Sequence, residues 1–161
     1  MAEQKLICLL YELMKDSKRS DRELAKAIGV SQPTITRMRK NLENLGYIRE
    51  YTVIPALEKI GFEILALNFL SANLTPEFND WISKNPKIIF AGTGEGAEGN
   101  TLLLASIHKD FTDFSEFISE IRKLFASNVQ SLKSFLSSLK VDVVKPFSLR
   151  NLERIQPKSS K

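Results

Sequence analysis

Between Glu3 and Lys15 apolar residues recur at helical spacing, Leu6, Leu10, Leu13 and Met14, with Glu3, Lys5, Glu12 and Lys15 between them, which predicts an amphipathic helix. A polar break over Asp16 to Arg19 leads into Ser20-Asp-Arg-Glu23, a capping box in which the serine and glutamate side chains each satisfy a backbone donor. A second helix therefore begins at Asp21, carries Leu24, Ala25, Ala27 and Ile28, and stops at Gly29, the residue that most readily turns left-handed. Ser31 is placed to cap a third helix through its hydroxyl, and Pro33 sits in the first turn, where a missing N–H is no loss. On that helix Ile35, Met38, Leu42 and Leu45 form one apolar stripe, while Pro33, Thr36, Arg37 and Lys40 lie opposite. Two helices joined by so tight a turn must cross closely, which the small Ala25 permits; the pattern is a helix-turn-helix.

After Gly46 the period changes. Tyr47 to Ile54 is β-branched and aromatic, the strand or hairpin arm expected of a wing, and Pro55 closes it. Ala56 to Gly61 reads as a linker. Beyond it come a buried strand (Glu63 to Leu70), a helix opened by Thr75-Pro-Glu and carrying Phe78, Trp81 and Ile82 to Asn85-Pro86, and two apolar strands (Ile88 to Ala91, Thr101 to Ile107). Phe111 to Phe125 reads as a second amphipathic helix through Phe114, Phe117, Ile118, Ile121 and Leu124. Val129 to Val144 is read as mostly strand, although Leu132, Phe135, Leu136 and Leu139 also fit a helix, because a fourth strand completes a ferredoxin-like split sheet. The expected fold class is α+β, an N-terminal winged helix-turn-helix followed by a ferredoxin-like βαββαβ domain. Expected boundaries are 1–55 for the first domain, 56–62 for the linker, 63–150 for the second domain and 151–161 for a polar tail.

The 161 residues are 43% hydrophobic and 26% charged, ordinary for a globular protein. Net charge is +4, and the excess is local: from 31 to 49, Arg37, Arg39, Lys40 and Arg49 stand against Glu43 alone. A polyanionic partner is favoured. One cysteine, Cys8, rules out an intramolecular disulfide, and its apolar neighbours suggest a buried, inert thiol. With one histidine, His108, a single chain builds neither a structural zinc site nor a two-histidine catalytic one. The apolar run near the N-terminus is short and broken by Glu12, and nowhere do about 18 apolar residues follow one another. A cytoplasmic location with no membrane contact is expected, and no cofactor motif is present.

The outer face of the third helix has the chemistry of major-groove recognition. Arginine bonds a guanine edge through two parallel contacts, threonine offers a hydroxyl or a methyl, and lysine is a point charge suited to phosphate. The candidate DNA-contacting set is Ser31, Gln32, Pro33, Thr34, Thr36, Arg37, Arg39 and Lys40, with Arg49 from the wing. The competing reading is a solvated helix face that carries three cations.

Leu24-Ala-x-x-x-Gly-x-Ser31-x-x-x-Ile35 and Leu42-x-x-x-Gly46-Tyr-Ile48 resemble the DNA-binding domain of the Lrp/AsnC (feast/famine) transcription regulators. By order of elements the resemblance extends over about residues 5 to 145, and its motifs lie between 20 and 50. It implies a sequence-specific regulator of double-stranded DNA that dimerises through the C-terminal domain, assembles in some cases into tetramers or octamers, and often binds an amino-acid effector. Two departures stand out. Met38 occupies a position where the family often has arginine, and the glycine turn between the second and third strands is expanded to Gly94-Glu-Gly-Ala-Glu-Gly-Asn100, without the family's aspartate.

That turn lies in a loop with four glycines, Gly92, Gly94, Gly96 and Gly99. It lacks Gly-Lys-Ser/Thr and leads into a strand, so it is not a phosphate loop. As an effector site it offers Thr93, Gly94, Glu95, Gly96 and Glu98, the two glutamates as acceptors for an ammonium. The alternative is a long hairpin that serves packing or oligomerisation. Two other functions stay open. Lrp/AsnC-like decarboxylases of haem biosynthesis share the architecture, but need a histidine facing a tetrapyrrole, and His108 at a strand-to-helix junction is expected to be a solvated loop residue. An oligomerising module without DNA affinity is the third. No catalytic residue is assigned, and the expectation is that the chain is not an enzyme.

Overall fold

Three helices form where the apolar spacing predicts them: α1 (Ala2–Lys15), α2 (Asp21–Ile28) and α3 (Gln32–Asn44). The structure, a computed structural model, describes residues 2–96, 99–141 and 143–155. Leu9, Leu13, Leu24, Ala25, Ile35, Met38 and Leu42 bury together between the helices, with Leu6, Leu10, Ile28, Val30 and Ile48 around them. The capping box at Ser20 is closed in both directions, the Ser20 N–H donating to Glu23 Oε2 at 2.8 Å and the Glu23 N–H to Ser20 Oγ at 3.3 Å. Gly29 takes φ 72° and its N–H reaches the Ala25 carbonyl, which ends α2 in the conformation that glycine adopts at least cost.

Four details of this unit differ from expectation. Ser31 caps α3 by backbone geometry alone. A cap side chain accepts from the second or third N–H of the helix, and Pro33 removes the second. The Ser31 hydroxyl is instead 2.8 Å from that of Thr34. Leu45 is 65% exposed rather than on the buried stripe, because α3 has ended and the Tyr47 and Ile48 N–H groups turn back to the Leu42 carbonyl, which brings Ile48 against the core instead. Cys8 is exposed, since its apolar sequence neighbours point to other sides of the helix. Tyr47 to Ile54 forms no strand: β-branched residues suit a strand, but pairing needs a second strand, and none lies beside this one among the described residues.

By Cα proximity this unit comprises Met1–Val53 with a segment that starts at Lys145, and the second unit is Ile54–Val144. Within the first, Glu153 of a 3₁₀ turn at Leu152–Arg154 pairs with Lys15 at 2.6 Å. In the second, a 3₁₀ turn at Leu57–Ile60 precedes β1 (Ile64–Ala72), α4 (Pro76–Lys84), β2 (Ile88–Thr93), β3 (Leu102–His108), α5 (Phe111–Leu124) and β4 (Val129–Ser138). The sheet order is β2-β3-β1-β4, antiparallel throughout, the split βαβ arrangement that the element order predicts. Strand geometry at 129–138 resolves the helix-or-strand ambiguity in favour of strand. Val141 to Val144 adds no strand at its described positions, and Asp142 lies outside the described residues.

Alternation sorts the sheet into two faces. Ala66, Leu70, Leu102 and Leu104 face α4 and α5 and bury with Phe78, Ile82, Phe114, Phe117, Ile118, Ile121 and Phe125. Phe78 stacks on Phe125 with ring centroids 4.3 Å apart, and the Trp81 indole N–H donates to Glu120. The opposite face carries Leu65, Leu67, Phe69, Leu103, Ala105, Ile107 and, from the neighbouring strands in register, Phe90 and Phe135. Phe90 and Phe135 are 56% and 61% exposed.

Candidate nucleic-acid interface

Burying Ile35, Met38 and Leu42 turns the other side of α3 outward, and Gln32, Pro33, Thr36, Arg37 and Lys40 line one shallow concavity there. All five are exposed. Ser31 is also exposed and Thr34 half-buried, and Arg49 is exposed on the irregular segment after α3. Arg39, one position round from the cationic face, turns toward α2 and is half-buried.

The carboxylate of Asp21, in the first turn of α2, organises this surface. One oxygen accepts from Arg39 Nη2 at 2.7 Å and the other from the Thr36 hydroxyl at 2.8 Å. The Arg39 hydrogen bond, supported by that of Thr36, holds the Asp21 carboxyl below the usual carboxylate range against the upward push of partial burial. Tyr51 extends the network: its hydroxyl donates to Glu43 at 2.9 Å and lies beside Arg39, tying the segment after α3 to the helix. Asp21, Glu43 and Tyr51 carry no signal in the sequence for this role. Asp21 reads there as a helix start, and its partners lie 15 and 18 positions away.

A second candidate site lies in the sheet unit. Phe69, Phe90, Thr93, Glu95, Asn100 and Thr101 are among the residues around a concavity of about 310 Å³, at the small end for a small-molecule site. Gly92, Gly94 and Gly96 line it as well. The Gly94 N–H donates to the Thr101 carbonyl and the Gly96 N–H to that of Asn100, so the hairpin itself occupies two backbone donors that would otherwise be open to an effector. Of the four glycines only Gly99 has positive φ. A Cβ on Gly92 would lie 2.9 Å from the Phe90 ring, so that glycine makes room for the phenylalanine. Glu98 lies outside the described residues. The aromatic lining escaped sequence reasoning because strand register, not spacing in the chain, brings Phe69 and Phe90 to one face.

His108 is fully buried, contrary to the solvated position expected of it. Strand β3 runs one residue further than its apolar run, and its last position still points inward, where the imidazole lies 5.3 Å from the Phe114 ring and 5.1 Å from that of Phe117. Its Nε2 is 2.8 Å from the Ser106 hydroxyl, from which hydrogen bonds continue through Asn68 to Ser134. Its Nδ1 has no hydrogen-bond partner and stands 3.7 Å from Asp113, which also pairs with Lys87. Among the described residues no group of acidic, histidine or cysteine side chains is placed to hold a metal, and no helix is long and apolar enough to cross a membrane.

A helix-turn-helix whose second helix presents an exposed cationic face, followed by an antiparallel βαββαβ sheet, is the architecture of a DNA-binding regulator. Residues 9–49 match the family described as winged helix-turn-helix DNA-binding. The chain is 30% identical over 117 residues, 68% of its length, to the transcriptional regulator AzlB of Bacillus subtilis, of which 72% is covered. The crystal structure of an AsnC family transcriptional regulator from Agrobacterium tumefaciens superposes with a TM-score of 0.76 at 18% identity, over 96% of this chain and 98% of that one. A complex of the transcriptional regulator NMB0573 of Neisseria meningitidis with L-Met superposes at 0.72 and 20% identity, over 92% and 97%. The chain belongs to the Lrp/AsnC family of transcription regulators, and it is a regulator with a winged helix-turn-helix DNA-binding domain.

Proposed function

We propose that this regulator binds specific operators as a homodimer, in the cytoplasm, with α3 in the major groove. The observation that carries the reading is the gathering of Gln32, Pro33, Thr36, Arg37 and Lys40 on one exposed concave face. Arg37 reads a base edge and Lys40 contacts phosphate; Ser31 and Thr34, at the start of α3, and the exposed Arg49 complete the set. Arg39 acts through Asp21 rather than as a free cation. Gel retardation of the DNA upstream of the protein's own gene tests this, since regulators of this kind often control themselves. A retarded band that wild type forms and Arg37→Ala weakens is expected; equal retardation by both overturns the assignment of the face.

Dimerisation through the sheet face opposite the helices follows from its composition. Leu65, Leu67, Phe69, Leu103 and Phe135 form an apolar surface that a second copy of the sheet would cover. Tetramers or octamers built from such dimers belong to the same reading. An amino acid seated against the β2–β3 hairpin is the proposed effector, supported by the concavity beside Phe69 and Phe90 and by the methionine complex of the Neisseria regulator. A decarboxylase is disfavoured because the one histidine of the chain is buried beneath Phe114 and Phe117 rather than facing a cavity. An oligomerising module without DNA affinity leaves the exposed cationic face of α3 unexplained.

A further inference from the structure

We propose that Thr36 reads the methyl group of a thymine in the major groove, and that Asp21 is the positioning residue that restricts it to this. The proposal rests on the reading of α3 as the recognition helix and assigns one base position within it. A threonine has two groups to present to a base edge: a hydroxyl, which donates to purine N7 or a keto oxygen and accepts from an exocyclic amine, and a methyl, which packs against the thymine C5-methyl. Here the hydroxyl proton is committed. It is donated to Asp21 Oδ2 at 2.8 Å, with the Gln32 carbonyl, at 3.4 Å, as the other acceptor within reach. Asp21 is a strong competitor because it is held ionised by Arg39 on its other oxygen, and a charge-assisted hydrogen bond is about twice as strong as a neutral one. Thr36 nevertheless lines the concavity with Pro33, Arg37 and Lys40. With its hydroxyl drawn to α2, the oxygen is turned from the groove as acceptor as well as donor, and the methyl is left to meet the base edge. Thymine is the base whose major-groove edge carries a methyl.

The test uses the full-length protein and a random-sequence duplex library. Wild type is expected to enrich sites with a fixed thymine in each half-site. Replacing that thymine by uracil, which removes the methyl and nothing else, is expected to weaken binding roughly fourfold, the weight of one buried methyl. Thr36→Val keeps a methyl and loses the hydroxyl, so it should retain the thymine-over-uracil ratio, whereas Thr36→Ser should bring it to about one. Asp21→Ala frees the hydroxyl and should lower the ratio in the wild-type background, but leave it unchanged in Thr36→Val. A merely structural role for Asp21 would change affinity in both backgrounds and the ratio in neither. A uracil ratio of one in wild type, or loss of the preference in Thr36→Val, overturns the proposal while leaving α3 as the recognition helix. Failure to enrich any sequence sinks that parent reading and the proposal together.

Discussion

Arg37, Arg39 and Lys40 are near neighbours in sequence and have two different environments in the fold. Arg37 and Lys40 are exposed in the concavity, and Arg39 is bound to Asp21. Their loss should therefore read differently. Arg37→Ala should cost about 1 to 3 kcal/mol of operator affinity and relax base preference, whereas Lys40→Ala should weaken operator and random duplex alike. Competition binding against both duplexes separates the two, and the slope of log K with log salt should fall by roughly 0.9 for each phosphate contact removed. A Lys40→Ala variant that lost base preference instead would exchange the roles. Sequence reasoning found the face because the helical period is rigid, so residues opposite a buried stripe are known once the stripe is known. It placed Arg39 with the DNA-contacting set because the acid that draws it away lies on another helix.

Among the elements, β3 and α5 meet at a pH-sensitive point of the sheet unit. Burial beneath Phe114 and Phe117 pushes the His108 imidazole below its usual pKa; Lys87 acts in the same direction and Asp113 opposes. In the unfolded chain the same group binds a proton near its ordinary value of about 6.5. Between the folded and unfolded values the unfolded state holds more protons, so this contribution to stability is complete above about pH 6.5 and declines as pH falls through that value. The melting temperature should accordingly drop between about pH 7.5 and 5.5, and His108→Gln should flatten that part of the profile. An unchanged slope in the variant would assign the effect to other groups. Asp113, held low by Lys87 and by the Lys109 N–H although burial pushes upward, titrates in the acid range below this window.

At the scale of the whole molecule, the proposed dimer and effector site rest on the apolar sheet face and the hairpin beside it. Phe135 is 61% exposed in the single chain and lies at the centre of β4 in register with Leu67. Phe135→Asp puts a charge on the surface that the second copy should cover, and light scattering at micromolar concentration should show a dimer for wild type and a monomer for the variant. A monomeric wild type would end the sheet-pairing proposal. A thermal-shift series over the common amino acids tests the effector, since a ligand at 100 times its Kd adds roughly 2.7 kcal/mol of stability. Gly94→Val is the control: Gly94 lines the concavity, and a Cβ there meets nothing within 4 Å, so the hairpin tolerates the added side chain. The stabilising amino acid should lose its effect in that variant, and an unchanged shift would move the effector to another site.

The order of elements, the closed cap at Ser20, the turn at Gly29 and the cationic face of α3 were all readable from the chain, because each depends on residues within a few positions of one another. Local geometry is set by local sterics and hydrogen bonding, and the helical and strand periods carry it into sequence directly. What only the tertiary structure decided were pairings between elements: Asp21 with Thr36 and Arg39, Asn68 with Ser106 and Ser134, His108 with two phenylalanines of α5, and the placing of Phe69 and Phe90 around one concavity. The missing strand after Gly46 makes the same point in reverse. Its residues suit a strand, but a strand is half of a pairing, and β-branched side chains cannot supply the other half.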